Sequence, residues 1–578
     1  MINKLANKGW FFACWFLASA VFYGWILLGP YGGPFKNLPI RLAILAFFVA
    51  VSMLLISRIW EGVNRWVALF ATLVGYGVLY KLIEFIPGIN SYPFTLTWSE
   101  GTAYYFASLF FAERIYGIKV DLPLINPTRH MLMAIPFLVS DLPIWVHRLW
   151  EVLLWLIISG MTIYLFVRRL DIQDNLIRWV YAGWFFLFMF QGPIYYFLLL
   201  SIIPVLWGFQ AKNFWKTLLL VIIGSIWAGM SRVNWVPVPG LIAATLYFLE
   251  ENLGEKNWRH YLRRPLIWFA AGSITALLAW YTYASLSGHP VGKFGIYFTS
   301  NLLWYRLFPN ETFREGVLLM AFLTSLPLLG IIAIHLYTSR RKYHYIRLLG
   351  IGSIMAVLFL SGLIVSTKIG GGNNIHNLDA YLLILLITGS YIYFGRTSPD
   401  YDVRAKETPT RLVNLFLSLV VLIPVLYAVE DGNPTSRPNP AKAENARLTI
   451  QEYADEVVAD GGKVLFIAER QLLTFGEIEG IPLIPEYERM NLMEMVMGGN
   501  QEYLNEFHER IKNQEFDLIV TEPLGTIYKG RTEPFGVEND VYVRDVSEPV
   551  LCYYETVKKI SRFPIELLVP KSEPGNCS

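Results

Sequence analysis

Apolar runs of roughly 20 residues recur from the N-terminus to about residue 428, most of them closed by Arg, Lys, Gly or Pro. A bilayer core needs runs of about that length at helical rise. The candidates lie near 10–28, 40–57, 65–86, 148–167, 176–190, 193–209, 214–230, 235–249, 265–286, 315–336, 347–366, 379–395 and 411–428. The runs beside Gln191-Gly192-Pro193 and Ser231-Arg232 are short, so either pair can be one broken span, and the count is set at about eleven to thirteen. After residue 430 the pattern changes. Runs 463–467 and 516–520 have the length and composition of buried strands, and 491–514 alternates apolar and polar groups at helical spacing. The predicted fold is an all-α polytopic bundle followed by a small α/β domain. Its divisions are two additional N-terminal helices in 1–64, a transmembrane module in 65–428 with a first large external loop at 87–147, and a soluble domain in 429–578.

Composition agrees with this pattern: 54% of the 578 residues are hydrophobic and only 16% charged, with 19 Trp. A net charge of +3 gives no electrostatic case for a nucleic-acid partner. The placement of charge matters more. Lys and Arg collect in alternate short loops, at Arg168/Arg169/Arg178, Lys256/Arg259/Arg263/Arg264, Arg340/Arg341/Lys342/Arg347 and Arg396/Arg404/Lys406/Arg411. By the positive-inside rule those loops and the N-terminus are cytoplasmic, and the C-terminal domain is exoplasmic. This expects a multi-pass protein of the plasma (inner) membrane. The first apolar run is a full span long and lacks a cleavage pattern, so it is read as a span and not as a signal peptide.

Four external stretches then carry the candidate chemistry: 87–147, 231–235, 287–314 and 367–378. The first opens on Trp98-Ser99-Glu100-Gly101, a carboxylate at the water edge. Behind it, 102–116 and 126–139 are too apolar to be loose and too short to span, and are expected to lie in the interface plane. Arg129 and His130 begin the second of these and can meet a phosphate or lipid headgroups. Arg232 and Asn234 sit in a tight turn between two spans, where an arginine needs either snorkelling or an anionic partner, a phosphate or Glu100. Lys368-Ile369-Gly370-Gly371-Gly372-Asn373-Asn374-Ile375-His376-Asn377-Leu378-Asp379 is the densest polar cluster of the apolar region. Its glycines let backbone amides converge on an anion, Lys368 adds charge, and His376 and Asp379 fall one turn apart. No metal-ligand spacing joins these groups, and no cofactor is expected. In 287–314, His289, Lys293, Tyr297, Trp304, Tyr305 and Arg306 suit sugar stacking, but an interfacial aromatic belt is the default reading.

In layout, residues 65–395 resemble the GT-C glycosyltransferases, polytopic enzymes that take a sugar from a polyprenyl-phosphate carrier. Protein mannosyltransferases and lipid A aminoarabinose transferases look similar. Many members carry two adjacent acids at the loop start, where this chain has Ser99-Glu100. The resemblance implies an inverting transferase moving a sugar from a polyprenyl-phosphate donor to an exoplasmic lipid, glycan or protein acceptor, with Glu100 as base. Arg129, His130, Arg232, Asn234, Lys368, Asn373, Asn374, His376 and Asp379 would bind substrate. Glu100 and the 368–379 turn should then meet across one cavity. A transporter or flippase of lipid-linked glycans is the alternative, although such proteins usually place ionisable groups near the bilayer midplane. Of the three cysteines, Cys14 reads as an apolar packing residue, while Cys552 and Cys577 share the external domain and can pair.

Overall fold

The computed structural model describes residues 2–60, 62–254, 256–289, 300–372, 375–402, 410–432, 439–560 and 563–573. Among these, eight helices are long and apolar enough to cross a membrane: Trp10–Leu27, Leu38–Ile59, Arg65–Gly88, Ile144–Leu170, Trp258–Leu286, Val317–Lys342, Tyr345–Ser366 and Thr410–Asp431. The protein is a multi-pass membrane bundle. Several further expected spans are helices of less than full length. Val238–Glu250 has 13 residues and Asp379–Tyr393 has 15, and nearly every residue of both is buried. Helices apolar on every side belong in the middle of a bundle. The run at 193–209 is not a straight span: Asn175–Gln191 and Tyr196–Gly208 meet at 117°. Gly192 permits the bend, since a Cβ there would press on Leu382 and Ile375.

The N-terminal helices pack on the rest through a buried polar ladder. Tyr76 OH lies 3.0 Å from Ser19 Oγ and 2.8 Å from Ser52 Oγ. Further along, Arg41 and Tyr80 both donate to the carbonyl of Gly432, and Lys81 pairs with Asp431 at 2.8 Å. These helices therefore fix the point where the chain leaves the bundle. Cys14 is an exposed free thiol on the outside of the first helix, not a packing residue as expected.

The C-terminal domain is an α/β layer. Four strands, β1 (Val464–Phe466), β2 (Leu518–Thr521), β3 (Tyr554–Lys559) and β4 (Glu566–Pro570), form a sheet in the order β1-β2-β4-β3. The β1/β2 pair is parallel and the other two are antiparallel. The expected 491–514 helix is two helices, Arg489–Met497 and Gln501–Lys512, separated where Gly499 takes a positive φ. Cys552 is disulfide-bonded; Cys577, its expected partner, lies outside the described residues.

The domain covers one end of the bundle. It touches the 87–147 loop through Glu469 Oε1, which accepts from Thr95 Oγ1 at 2.8 Å, and Glu488 Oε1, which accepts from Thr102 Oγ1 at 2.5 Å. On the other flank, Glu538 pairs with Arg306 and accepts from the Gly370 amide at 2.9 Å. Loops 87–147 and 300–314 and the 367–372 turn thus share one end. Arg347–Asp400 and Arg396–Asp171 mark the opposite one.

Candidate active site at the covered end

Glu100 is the first residue of the Glu100–Ser108 helix, where a carboxylate is favoured by the helix dipole. Its partner is Arg148, in the first turns of Ile144–Leu170. Arg148 Nε donates to Glu100 Oε1 at 2.8 Å and Nη2 to Oε2 at 3.2 Å, while the Leu96 amide donates to Oε2 at 2.6 Å. The same guanidinium donates to the carbonyls of Asn90 (2.7 Å), Tyr92 (2.7 Å) and Phe94 (3.2 Å). Arg148 is only 3% exposed and organises the whole 90–96 stretch. Glu100 therefore sits in a fork geometry with both oxygens occupied.

One turn beyond Arg148 is Glu151. Its Oε1 lies 3.2 Å from Arg129 Nη2, with the two side chains 22% and 20% exposed. This pair is wetter and looser than Glu100–Arg148. Tyr104, whose phenol burial holds well above its ordinary pKa, feels the charges of both Glu151 and Glu100. His130, beside Arg129, does not reach a site. It is 3% exposed, its ring meets Phe106 edge-on at 5.2 Å, and burial together with Arg129 lowers its pKa to about 3.

The turns at 231–235 and 375–379 come together as a second cluster. Arg232 Nη1 lies 3.2 Å from Asp379 Oδ2, and Nη2 donates to Asn377 Oδ1 at 2.7 Å. Asn234 Nδ2 is 3.4 Å from Asp379 Oδ1. The arginine's partner is thus Asp379, and neither Glu100 nor snorkelling alone explains it. His376 is held neutral by burial and by Arg232, with a pKa near 3. Asn373 and Asn374 lie outside the described residues.

Two contacts join the clusters. Thr128 and Ser231 hydroxyls share a hydrogen bond of 2.7 Å, and the ring of Tyr195, at the tip of the broken span, stands edge-on to His376 at 6.1 Å. Arg129–Glu151 and Arg232–Asp379 therefore occupy neighbouring positions at the covered end.

Three expectations change. Glu100 is held by Arg148 and the Leu96 amide, whereas Asp379 of the 368–379 turn is held by Arg232. Two amides of the Gly-rich turn are engaged within the protein: Gly370 N–H donates to the Glu538 carboxylate and Gly371 N–H to the Lys368 carbonyl, each at 2.9 Å. Lys368 itself faces Glu494 of the C-terminal domain at 3.4 Å. Finally, the helix after Glu100 does not lie on lipid. Residues 101–108 are all buried, because the C-terminal domain lays Arg470 against Tyr105 and Phe475 against Phe137 and His147.

Sequence reasoning missed Arg148 and Glu151, which fell at the start of an apolar run and were absorbed into the span. An ionisable residue one turn inside such a run is itself a functional signal. Among the described residues, no group of three His, Cys, Asp or Glu could hold a metal ion.

No family model and no curated protein matches the chain. Among solved structures it is similar to ArnT from Cupriavidus metallidurans in the apo state. That match has a TM-score of 0.45 at 12% identity and covers 87% of this chain and 97% of that one. The same protein bound to undecaprenyl phosphate is similar at a TM-score of 0.43 and 14% identity, over 88% and 98% of the two chains.

Proposed function

We propose that the protein is a membrane glycosyltransferase of GT-C type, moving a sugar from a polyprenyl-phosphate donor to an exoplasmic lipid, glycan or protein acceptor by inversion. The observation that carries this reading is the side-by-side placement of Arg129–Glu151 and Arg232–Asp379 beneath a soluble roof. Two guanidiniums suit a phosphate that must leave with its bonding electrons. Glu151, a partly exposed carboxylate beside Arg129, suits an acceptor that must lose a proton.

The acceptor oxygen or nitrogen attacks the anomeric carbon, the bond from that carbon to the phosphate oxygen breaks, and the proton passes to a carboxylate. Glu100 was the expected base. Three N–H donors already occupy its two oxygens, so we assign that role to Glu151, and Glu100 becomes the positioning residue that holds Arg148 and the 90–96 stretch. Arg129 and Arg232 take the carrier phosphate.

Binding of a polyprenyl phosphate to the purified protein, followed by native mass spectrometry, tests the donor half. Replacing one phosphate-binding arginine should weaken binding roughly 10- to 100-fold, as expected for a lost charge-assisted hydrogen bond. The variants are Arg129→Gln and the charge-balanced pair Arg232→Gln/Asp379→Asn. Wild-type affinity in both would refute the assignment.

A transporter of lipid-linked glycans is the second reading, favoured by the 117° break that brings Tyr195 to this site. Sidedness-resolved lipid flipping in liposomes separates the two, since a transferase should leave transbilayer rates unchanged.

A further inference from the structure

At the end opposite the C-terminal domain, a cavity of about 390 Å³ opens between the ends of the Ile144–Leu170, Ile203–Gly208, Val238–Glu250 and Asp379–Tyr393 helices. Arg168, Arg169 and Arg396 line it, together with Trp207, Glu250 and Tyr391. Its volume is that of a small-ligand site, and guanidiniums dominate its charge.

Two of the arginines are prearranged. Arg169 donates from Nη2 to Glu250 Oε1 at 2.5 Å and from Nε to the Tyr391 hydroxyl at 3.1 Å. Arg396 donates to the Leu170 carbonyl at 2.6 Å and pairs with Asp171 at 2.9 Å. Cations at helix C-termini are expected from the dipole alone, and these contacts satisfy that need. Arg168 is the excess: an exposed third guanidinium on the same cavity. Trp207, 65% exposed at the rim, has the placement of an aromatic at headgroup level.

We propose that this cavity binds the phosphate of an anionic phospholipid headgroup, with Arg168 as the principal contact, Arg169 and Arg396 behind it, and the lipid chains leaving past Trp207. Basic pockets between membrane helices select such headgroups through fork geometry and charge together. The site is separate from the one assigned to sugar transfer, so either can fail without the other.

The test uses the full-length protein in detergent with phosphatidylglycerol, phosphatidylcholine or inorganic phosphate, with retained lipid counted by native mass spectrometry. Wild type should retain phosphatidylglycerol over phosphatidylcholine. Arg168→Gln, an exposed change that leaves the other pairs intact, should lower retention on the order of tenfold. Arg168→Gln/Arg396→Gln should lower it further, while Arg259→Gln, an exposed basic residue off the cavity, should not. Equal loss in Arg259→Gln would reduce the effect to net charge and overturn the proposal, as would unchanged retention in the double variant. Displacement of the lipid by millimolar inorganic phosphate would assign the cavity to a soluble anion and also overturn it.

Discussion

Arg148 holds more of the covered end in place than any residue of the Trp98–Gly101 motif. Its guanidinium satisfies three carbonyls and a carboxylate, and its removal takes that donor from the carbonyls and leaves the carboxylate with the Leu96 amide. Arg148→Ala should therefore cost about 3–5 kcal/mol, the range for breaking a buried ion pair from one side. Glu100→Gln keeps an acceptor for the Leu96 amide and should cost less, about 1–3 kcal/mol. Thermal unfolding of both variants in one detergent checks the order, and a larger loss in Glu100→Gln would contradict it. The sequence made Glu100 and Arg232 conspicuous because each is a charge where apolar neighbours make it costly. It could not pair them: each found its partner on another helix, Arg148 and Asp379, and no spacing along the chain encodes that choice.

At the scale of elements, the contact between the C-terminal domain and the Glu100–Ser108 helix is the joint to test. Gly101 packs so closely that an added Cβ would stand 2.3 Å from Gln471 Oε1 and 2.7 Å from Thr95 Cγ2. Gly101→Ala should loosen the joint by about 1–3 kcal/mol, as overpacking does, and raise protease sensitivity of the 87–143 segment. The joint also buries Glu469 and Glu488, and burial raises the pKa of both above the ordinary value. Between the unfolded and folded pKa values the folded state binds more protons, so stability from these groups is full below the unfolded value and is lost as pH rises through the folded one. Wild type should therefore gain in unfolding midpoint from pH 7.5 towards pH 5 relative to Glu488→Gln. A pH-independent difference would show that Glu488 does not titrate in this way. Strands β1 and β2 were legible as short continuous apolar runs. Strand β3, Tyr-Glu-Thr-Val-Lys-Lys at the sheet edge, was not, because an edge strand with one wet face carries charges that resemble a loop.

For the whole molecule, the bundle and its C-terminal α/β domain were readable from hydropathy, whereas the closeness of their packing was not. The domain reaches both the 87–147 loop and the 300–314 and 367–372 segments, so these must lie on one side of the membrane. Impermeant thiol labelling of single cysteines placed at exposed positions 119, 527 and 341, in a variant lacking the native thiols, should mark the first two from outside and spare the third. Protection of position 527 in intact spheroplasts would reverse the orientation. The central claim, transfer of a carrier-linked sugar with Glu151 as base, is tested most directly by glycolipid mass spectrometry of cells lacking the gene and complemented with wild type or Glu151→Gln. The account predicts that wild type consumes a polyprenyl-phosphate sugar and yields a glycosylated product. Glu151→Gln, expressed at the same level, should accumulate the donor as the deletion does. A Glu151→Gln profile identical to wild type would contradict the assigned base, and identical profiles in all three strains would contradict the transferase itself.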